Sequence, residues 1–275
     1  MTALELLSVI AGLAALLILL YLFYDLIKGG IKERIAGKSR NNRDKEPATH
    51  TTLTSGTSAG SNFYNLPKAE KSARPKYAVI DFQTTGLSTE QGIESKIIQA
   101  AWLILDEDFA VIQNRLSLIS QNEQSSYEAY LVHHLHAEKI REYGRSETEV
   151  LSELLDDLKE TDTLIFHNAH FDLSMLRGTL MRNGNVEASD TIWQKQTFCT
   201  MTFFPELSAG ITDEKYPTLS ALTERLSGEH IPYRRDHDAL VAWHNVCLTR
   251  YCATEIKRRY PDEFHKHLSP ADHLL

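Results

Sequence analysis

Apolar and polar positions divide the 275-residue chain into unequal parts. Residues 6–24 are nineteen consecutive positions without a charge, dominated by Leu, Ile and Ala. Residues 41–75 are polar and low in large apolar groups, with Thr-Thr-Leu-Thr-Ser-Gly-Thr-Ser-Ala-Gly-Ser over 51–61. From residue 76 onward short apolar runs alternate with amphipathic ones. Residues 77–80 form an apolar, β-branched run that predicts a buried strand, and 96–105 and 110–119 predict two more as its antiparallel partners. Helical spacing follows over 123–134, 138–143 and 147–158. A short buried strand is expected over 162–166, then a helix over 171–183 that stops at Asn183-Gly184. A strand over about 192–201 and helices over 218–226 and 238–260 complete the pattern. Three strands followed by alternating helix and strand give an α/β or α+β order with a mixed sheet.

The first apolar run is near the length that crosses a bilayer. Glu5 is the only charged side chain ahead of it, whereas a secretory signal carries a basic n-region and a prompt cleavage site. A transmembrane anchor over 1–28 is therefore expected. Seven basic residues follow it (Lys28, Lys32, Arg34, Lys38, Arg40, Arg43 and Lys45), against Glu33 and Asp44. The positive-inside rule then puts the remaining chain in the cytoplasm of a single-pass inner-membrane protein. Residues 29–75 are expected as a basic juxtamembrane segment and linker, from which Phe63, Tyr64 and Leu66 are able to dock onto the domain. A domain is expected over 76–260 and a tail over 261–275.

Of the 29 basic and 37 acidic residues, seven and four precede residue 46, which leaves 22 against 33 and a net charge of −11. Sequence-independent binding of long duplex DNA needs basic patches that release counterions, and this acidic part offers no obvious one. The cysteines, Cys199, Cys247 and Cys252, are odd in number and lack Cys-x-x-Cys spacing, which excludes a disulfide framework or a zinc site as the organising feature. No Gly-rich phosphate loop or Cys/His nucleophile arrangement is present. The run His133-His134-Leu135-His136 has no ligand spacing and is expected as a solvated helix end. Trp102, Trp193 and Trp243 are expected to pack.

The chemistry collects at three stretches. The first strand delivers Asp81 to its end, with Gln83 two residues on and so on the same face. Thr84-Thr85-Gly86-Leu87 then turns the chain away, with Gly86 free to take positive φ. A carboxylate there suits a metal–phosphate site. The second stretch is His167-Asn168-Ala169-His170-Phe171-Asp172, a strand running into a helix start, where an acid also suits capping and the helix dipole. The third is Asp236-His237-Asp238-Ala239-Leu240-Val241-Ala242, at the start of the last long helix.

These stretches resemble the motifs of the DEDDh 3′–5′ exonucleases, the family of the proofreading ε subunit of bacterial DNA polymerase III. Its first motif, Asp-x-Glu-Thr-Thr-Gly-Leu, is matched by 81–87 except that Gln83 stands at the Glu. The second matches at His167, Asn168 and Asp172. The third, His-x4-Asp, matches at His237 but has Ala242 at the Asp. The resemblance covers about residues 76–258 and implies a ribonuclease-H-like mixed sheet flanked by helices. It also implies two-metal phosphodiester hydrolysis with a His taking the proton. Asp81 and Asp172 become the metal ligands, with Gln83 a weak one, and His237 the base. Thr84, Thr85, Gly86, Leu87, His167 and Asn168 fall on the substrate side.

Four carboxylates have thus become two, and the formal charge facing two divalent ions falls from −4 to −2. Mg²⁺ is held elsewhere by one or two carboxylates plus substrate phosphates, so the expectation is one weakly bound Mg or Mn, or none. Asp238 lies one helical turn, about 5.4 Å, before position 242, which is further than its short side chain spans. Asp236 and Asp238 suit first-turn capping, and His244 points to another face, so no replacement ligand is evident. Three functions follow. The first is an anchored, catalytically impaired pseudo-exonuclease that binds single-stranded nucleic-acid ends or nucleotides. The others are an active metal-dependent 3′–5′ exonuclease on DNA or RNA ends, and a module for a protein partner with a vestigial cleft.

Overall fold

The computed structural model describes residues 62–87, 95–203, 216–231 and 240–271, all within one compact unit spanning 57–275. The expected anchor, most of the linker, Asp236, His237 and Asp238 lie outside the described residues. Among the described residues no helix is long and apolar enough to cross a membrane.

Three strands come first: β1 (Tyr77–Thr84), β2 (Ile97–Leu105) and β3 (Val111–Leu118). They pair antiparallel in sequence order, with Ile80 opposite Trp102 and Gln83 opposite Gln99. All nine residues of β2 are buried, because helices cover both sheet faces, so its sequence shows a continuous apolar run rather than alternation. Helices α1 (Tyr127–His133), α2 (Ala137–Tyr143) and α3 (Glu147–Leu158) then carry the chain over to β4 (Thr163–Phe166), parallel to β1. Helix α3 starts where Ser146 and Glu149 form a reciprocal capping box, satisfying two donors that a helix start leaves open. Helices α4 (Ala169–Arg182) and α5 (Val186–Trp193) lead to β5 (Gln196–Cys199), parallel to β4. Helices α6 (Leu219–Ser227), α7 (Val241–Arg259) and α8 (Pro261–Lys266) precede β6 (Ser269–Pro270), which pairs antiparallel with β5. The sheet order is β3-β2-β1-β4-β5-β6, a mixed sheet flanked by helices as expected.

Period-two alternation along β1 separates two cores. Ala78, Ile80 and Phe82 pack with Trp102 and with Leu154 of α3 and Leu173 and Leu176 of α4. Tyr77 and Val79 face the opposite way, towards Phe198 and towards Val246 and Ile256 of α7. Trp102 is buried and its indole nitrogen donates to Asp157 at 2.9 Å, which satisfies the one polar atom that packing would strand. Trp193 and Trp243 pack against the two cores as partly buried residues.

Several boundaries differ from expectation. The strand expected over about 192–201 shrinks to β5, because Ser189 and Ile192 form the buried face of α5. The helix expected from 123 begins at Tyr127, where Ser126 caps it by accepting from the Ala129 amide. The tail expected over 261–275 is structured as far as Ala271, since Phe264 of α8 is fully buried among the rings of Tyr77, Phe109 and Phe198. The domain also starts before residue 76. Phe63, in a 3₁₀ turn over Asn62–Tyr64, is buried against Ile231 and Leu248 and meets Tyr251 edge to face. Tyr64 bonds to His244 through its hydroxyl, and Lys68 bridges to Val111 at the β3 edge. His133 is buried rather than solvated. Its Nδ1 accepts from the Leu135 amide at 2.9 Å, and burial lowers its pKa to about 4.

Candidate active site

The alternation that builds the two cores also aims the site. Phe82 points into the core under α3 and α4, so Asp81 and Gln83 on either side of it point to the α7 face. Gln83 donates from Nε2 to Oδ2 of Asp81 at 2.7 Å. Asn245, in the second turn of α7, donates from Nδ2 to Oδ1 of the same carboxylate at 3.1 Å. Both oxygens of Asp81 therefore accept from side-chain amides.

Asp172 approaches from the opposite side of β1. It stands in the first turn of α4 and is only 4% exposed, but its side chain does not merely cap that helix. Oδ1 accepts from the backbone amide of Phe82 at 3.1 Å, which ties the α4 start to the strand carrying Asp81. Burial pushes the Asp81 carboxyl up to about 7 against the pull of its two amide bonds. Burial, and then the neighbouring Asp81 charge, hold Asp172 well above the usual carboxylate range. The structure thus brings the two retained acids together across Phe82. Among the described residues no group of three or more His, Cys, Asp or Glu side chains is placed to hold a metal ion.

Position 242 shows what the third motif has become. Ala242 is fully buried in the α7 core, and its backbone amide donates to Oε1 of Gln99 at 3.0 Å. Gln99 lies directly opposite Gln83 on β2, so the stretch flanking Asp81 is held by neutral amides. Among the described residues two carboxylates are present, and the atoms turned towards Asp81 are N–H groups, which repel a cation; this described donor set does not fit a pair of divalent ions. Asn245 went unnoticed in the sequence, although its three-residue spacing from Ala242 puts it on the same helix face.

The first-motif turn is tied down by its own polar groups. Thr84 donates from Oγ1 to the Gly86 carbonyl, and Thr85 accepts from the Lys96 amide at its hydroxyl and from the Ser126 amide at its carbonyl. Gly86 does not take positive φ, and a Cβ there would meet only Ser95 and Ser126 at ordinary contact distances of 3.5–3.9 Å. The turn closes through these hydrogen bonds and not through a left-handed glycine. Leu87 is 73% exposed beside it.

The second-motif residues divide. Asn168 is exposed at the start of α4 and makes no side-chain cap bond. His167 is engaged within the fold: Nδ1 meets the Thr200 hydroxyl at 2.9 Å and Nε2 the Pro217 carbonyl at 3.3 Å. Burial lowers its pKa to about 4, so it is neutral and carries a proton on Nε2 for the carbonyl. Its geometry joins the ends of β4 and β5 to the start of α6.

Residues 78–242 match the exonuclease family of RNase T type. No curated protein matches the chain. Among solved structures, the chain is similar to E. coli exonuclease I in complex with a dT13 oligonucleotide, with 18% identity, a TM-score of 0.56, and 69% of this chain and 42% of that one covered. Exonuclease I from Methylocaldum szegediense gives 20% identity and a TM-score of 0.56, over 69% of this chain and 42% of the other. The zinc-bound complex of E. coli exonuclease I with single-stranded DNA gives 18% and 0.54, over 70% and 42%. The chain spans less than half the length of these structures, and at such identities the likeness establishes the fold. The family match runs from the strand that carries Asp81 to the helix start that carries Ala242, and on that ground the chain belongs to the exonuclease family, of the DEDDh 3′–5′ type.

Proposed function

We propose that the protein is a membrane-anchored pseudo-exonuclease that binds single-stranded nucleic-acid ends or nucleotides and cleaves them slowly or not at all. The observation that carries this reading is the amide-held Asp81, with Asp172 its one carboxylate neighbour among the described residues. A two-metal reaction needs charge on both ions' ligands, and losing electrostatic stabilisation of about 3–4 kcal/mol already costs 10²–10³ in rate. When bound, a divalent ion would activate water and neutralise the phosphate. Asp81 and Asp172 would hold it, with the amide oxygen of Gln83 as a weak third donor, and His237 would take the proton. One weakly held Mg or Mn is the most these residues support. The oligonucleotide seen with E. coli exonuclease I supports a single-stranded end as the ligand. Exposed Asn168 and Leu87, with half-buried Gly86, are the surfaces offered to it, while Thr84 and Thr85 lie buried behind them.

The test is digestion and binding of a labelled single-stranded oligonucleotide by residues 57–275 with Mg²⁺ or Mn²⁺. The expected result is a shifted complex with negligible shortening. Rapid stepwise shortening from the 3′ end would establish the active-enzyme reading instead. The absence of any complex would favour a module for a protein partner. For the anchor, residues 6–24 and the seven basic residues after them support a single-pass inner-membrane protein with its domain in the cytoplasm. Residues 76–275 should accordingly resist external protease in intact cells, and a soluble form cleaved near residue 25 would mean a secretory signal.

A further inference from the structure

Among the described residues no basic side chain touches the half-buried carboxylate of Asp81, a placement that carries a desolvation cost unless something compensates it. Here two hydrogen bonds offset part of that cost, and they come from two elements distant in sequence. Gln83 supplies one N–H from the same strand, and Asn245 supplies the other from α7. A carboxylate that accepts two amide N–H groups is stabilised as an anion by fixed dipoles. The same two dipoles turn their positive ends to the space in which a cation would approach.

We propose that Gln83 and Asn245 form an amide clamp on Asp81 that stands in for a bound cation, so that the pocket keeps its form without metal. Asn245 is the positioning residue of this clamp, and its position on α7 is one from which a side chain reaches Asp81 directly. This rests on the reading of an impaired site and goes beyond it: the absent carboxylates are replaced by groups that exclude the ion, and not simply missing. To admit a cation both amides must rotate to present oxygen, which breaks two charge-assisted hydrogen bonds on Asp81. A carboxylate at 245 would reverse the arrangement. Two anions would face each other at hydrogen-bond distance, unfavourable without a cation and a ligand pair with one.

The test is thermal unfolding of the full-length chain in mild detergent, followed by tryptophan fluorescence, in EDTA and in excess Mn²⁺. Wild type should unfold at the same temperature in both. Asn245→Asp should unfold several degrees lower in EDTA and recover most of that difference in Mn²⁺, since binding to the folded state alone raises its stability by mass action. Asn245→Ala, which removes the donor without adding a ligand, should unfold lower in EDTA and recover less than half. Should Asn245→Asp fail to fold, Gln83→Glu makes the corresponding change at the other oxygen and should show the same Mn²⁺ dependence. The proposal is overturned if both acidic variants match wild type in EDTA and ignore Mn²⁺, or if wild type itself gains several degrees from Mn²⁺. The impaired-site reading fails separately, on rapid digestion of the oligonucleotide by wild type, whichever way the unfolding temperatures move.

Discussion

Changing Gln83 to Glu and Ala242 to Asp together is expected to raise exonuclease activity by about two orders of magnitude or more. Asp81 and Asp172 already meet across Phe82, and both substitutions lie where the family motif has its other two carboxylates. The Glu removes one of the two amide donors from Asp81, and the Asp enters on the α7 face that carries Asn245. Each single change should do far less, because residues that complete one site act as a unit. Adding Asn245→Ala should raise the activity again by freeing the last clamped oxygen. Adding His237→Ala should instead remove most of the gain, since the proton acceptor is lost. Initial rates of release from a 3′-labelled single strand measure all of these. A double variant that binds two Mn²⁺ in calorimetry yet leaves the strand intact would mean that the cleft has lost its substrate, and the protein-partner reading would take over.

Phe264→Ala should destabilise residues 57–275 by about 3–5 kcal/mol, a third or more of a typical domain's stability. The ring is fully buried, with its centroid 4.3 Å from that of Phe198, 6.3 Å from Tyr77 and 6.4 Å from Phe109. It closes the core beneath the strand that carries Asp81, so the loss should also weaken oligonucleotide binding. Equilibrium urea unfolding gives the figure. A change below about 0.5 kcal/mol, the range of ordinary surface substitutions, would show that α8 does not pack there in solution.

The elements with a clear periodicity were legible in the sequence. Helix α3 falls on 147–158 as expected, because its apolar spacing and the Ser146–Glu149 pair mark the same start. The three leading strands and their antiparallel pairing were also legible, from β-branched apolar runs. Two short helices were not. Helix α5 carries only Ser189 and Ile192 on its buried face, too few positions for a period to show, and α8 is six residues long with one buried anchor, Phe264. In the site, Asp81 stands out as a carboxylate at a strand end, whereas Asp172 at a helix start suits capping equally well and is singled out only by its likeness to the family's second motif. Asn245 was missed because an amide carries no such signal, and its role depends on which helix face meets β1. Gly86 shows the opposite: its residue type suggests conformational freedom, yet the glycine keeps ordinary φ.

Chain outside the motif-bearing stretch pairs with both margins of the sheet, at Val111 of β3 and at Gln196 and Thr197 of β5. Along β3, Val111 donates to the Pro67 carbonyl and accepts from the Ala69 amide, while along β5 the covering strand is β6. A piece cut to residues 78–242 would keep Asp81, Asp172 and position 242 but lose both coverings, exposing unpaired backbone along β3 and β5. Uncovered margins of this kind recruit further strands, so such a piece would be prone to self-association and aggregation. The flanking segments, idle from the standpoint of chemistry, therefore shield backbone groups at both margins from pairing with other chains.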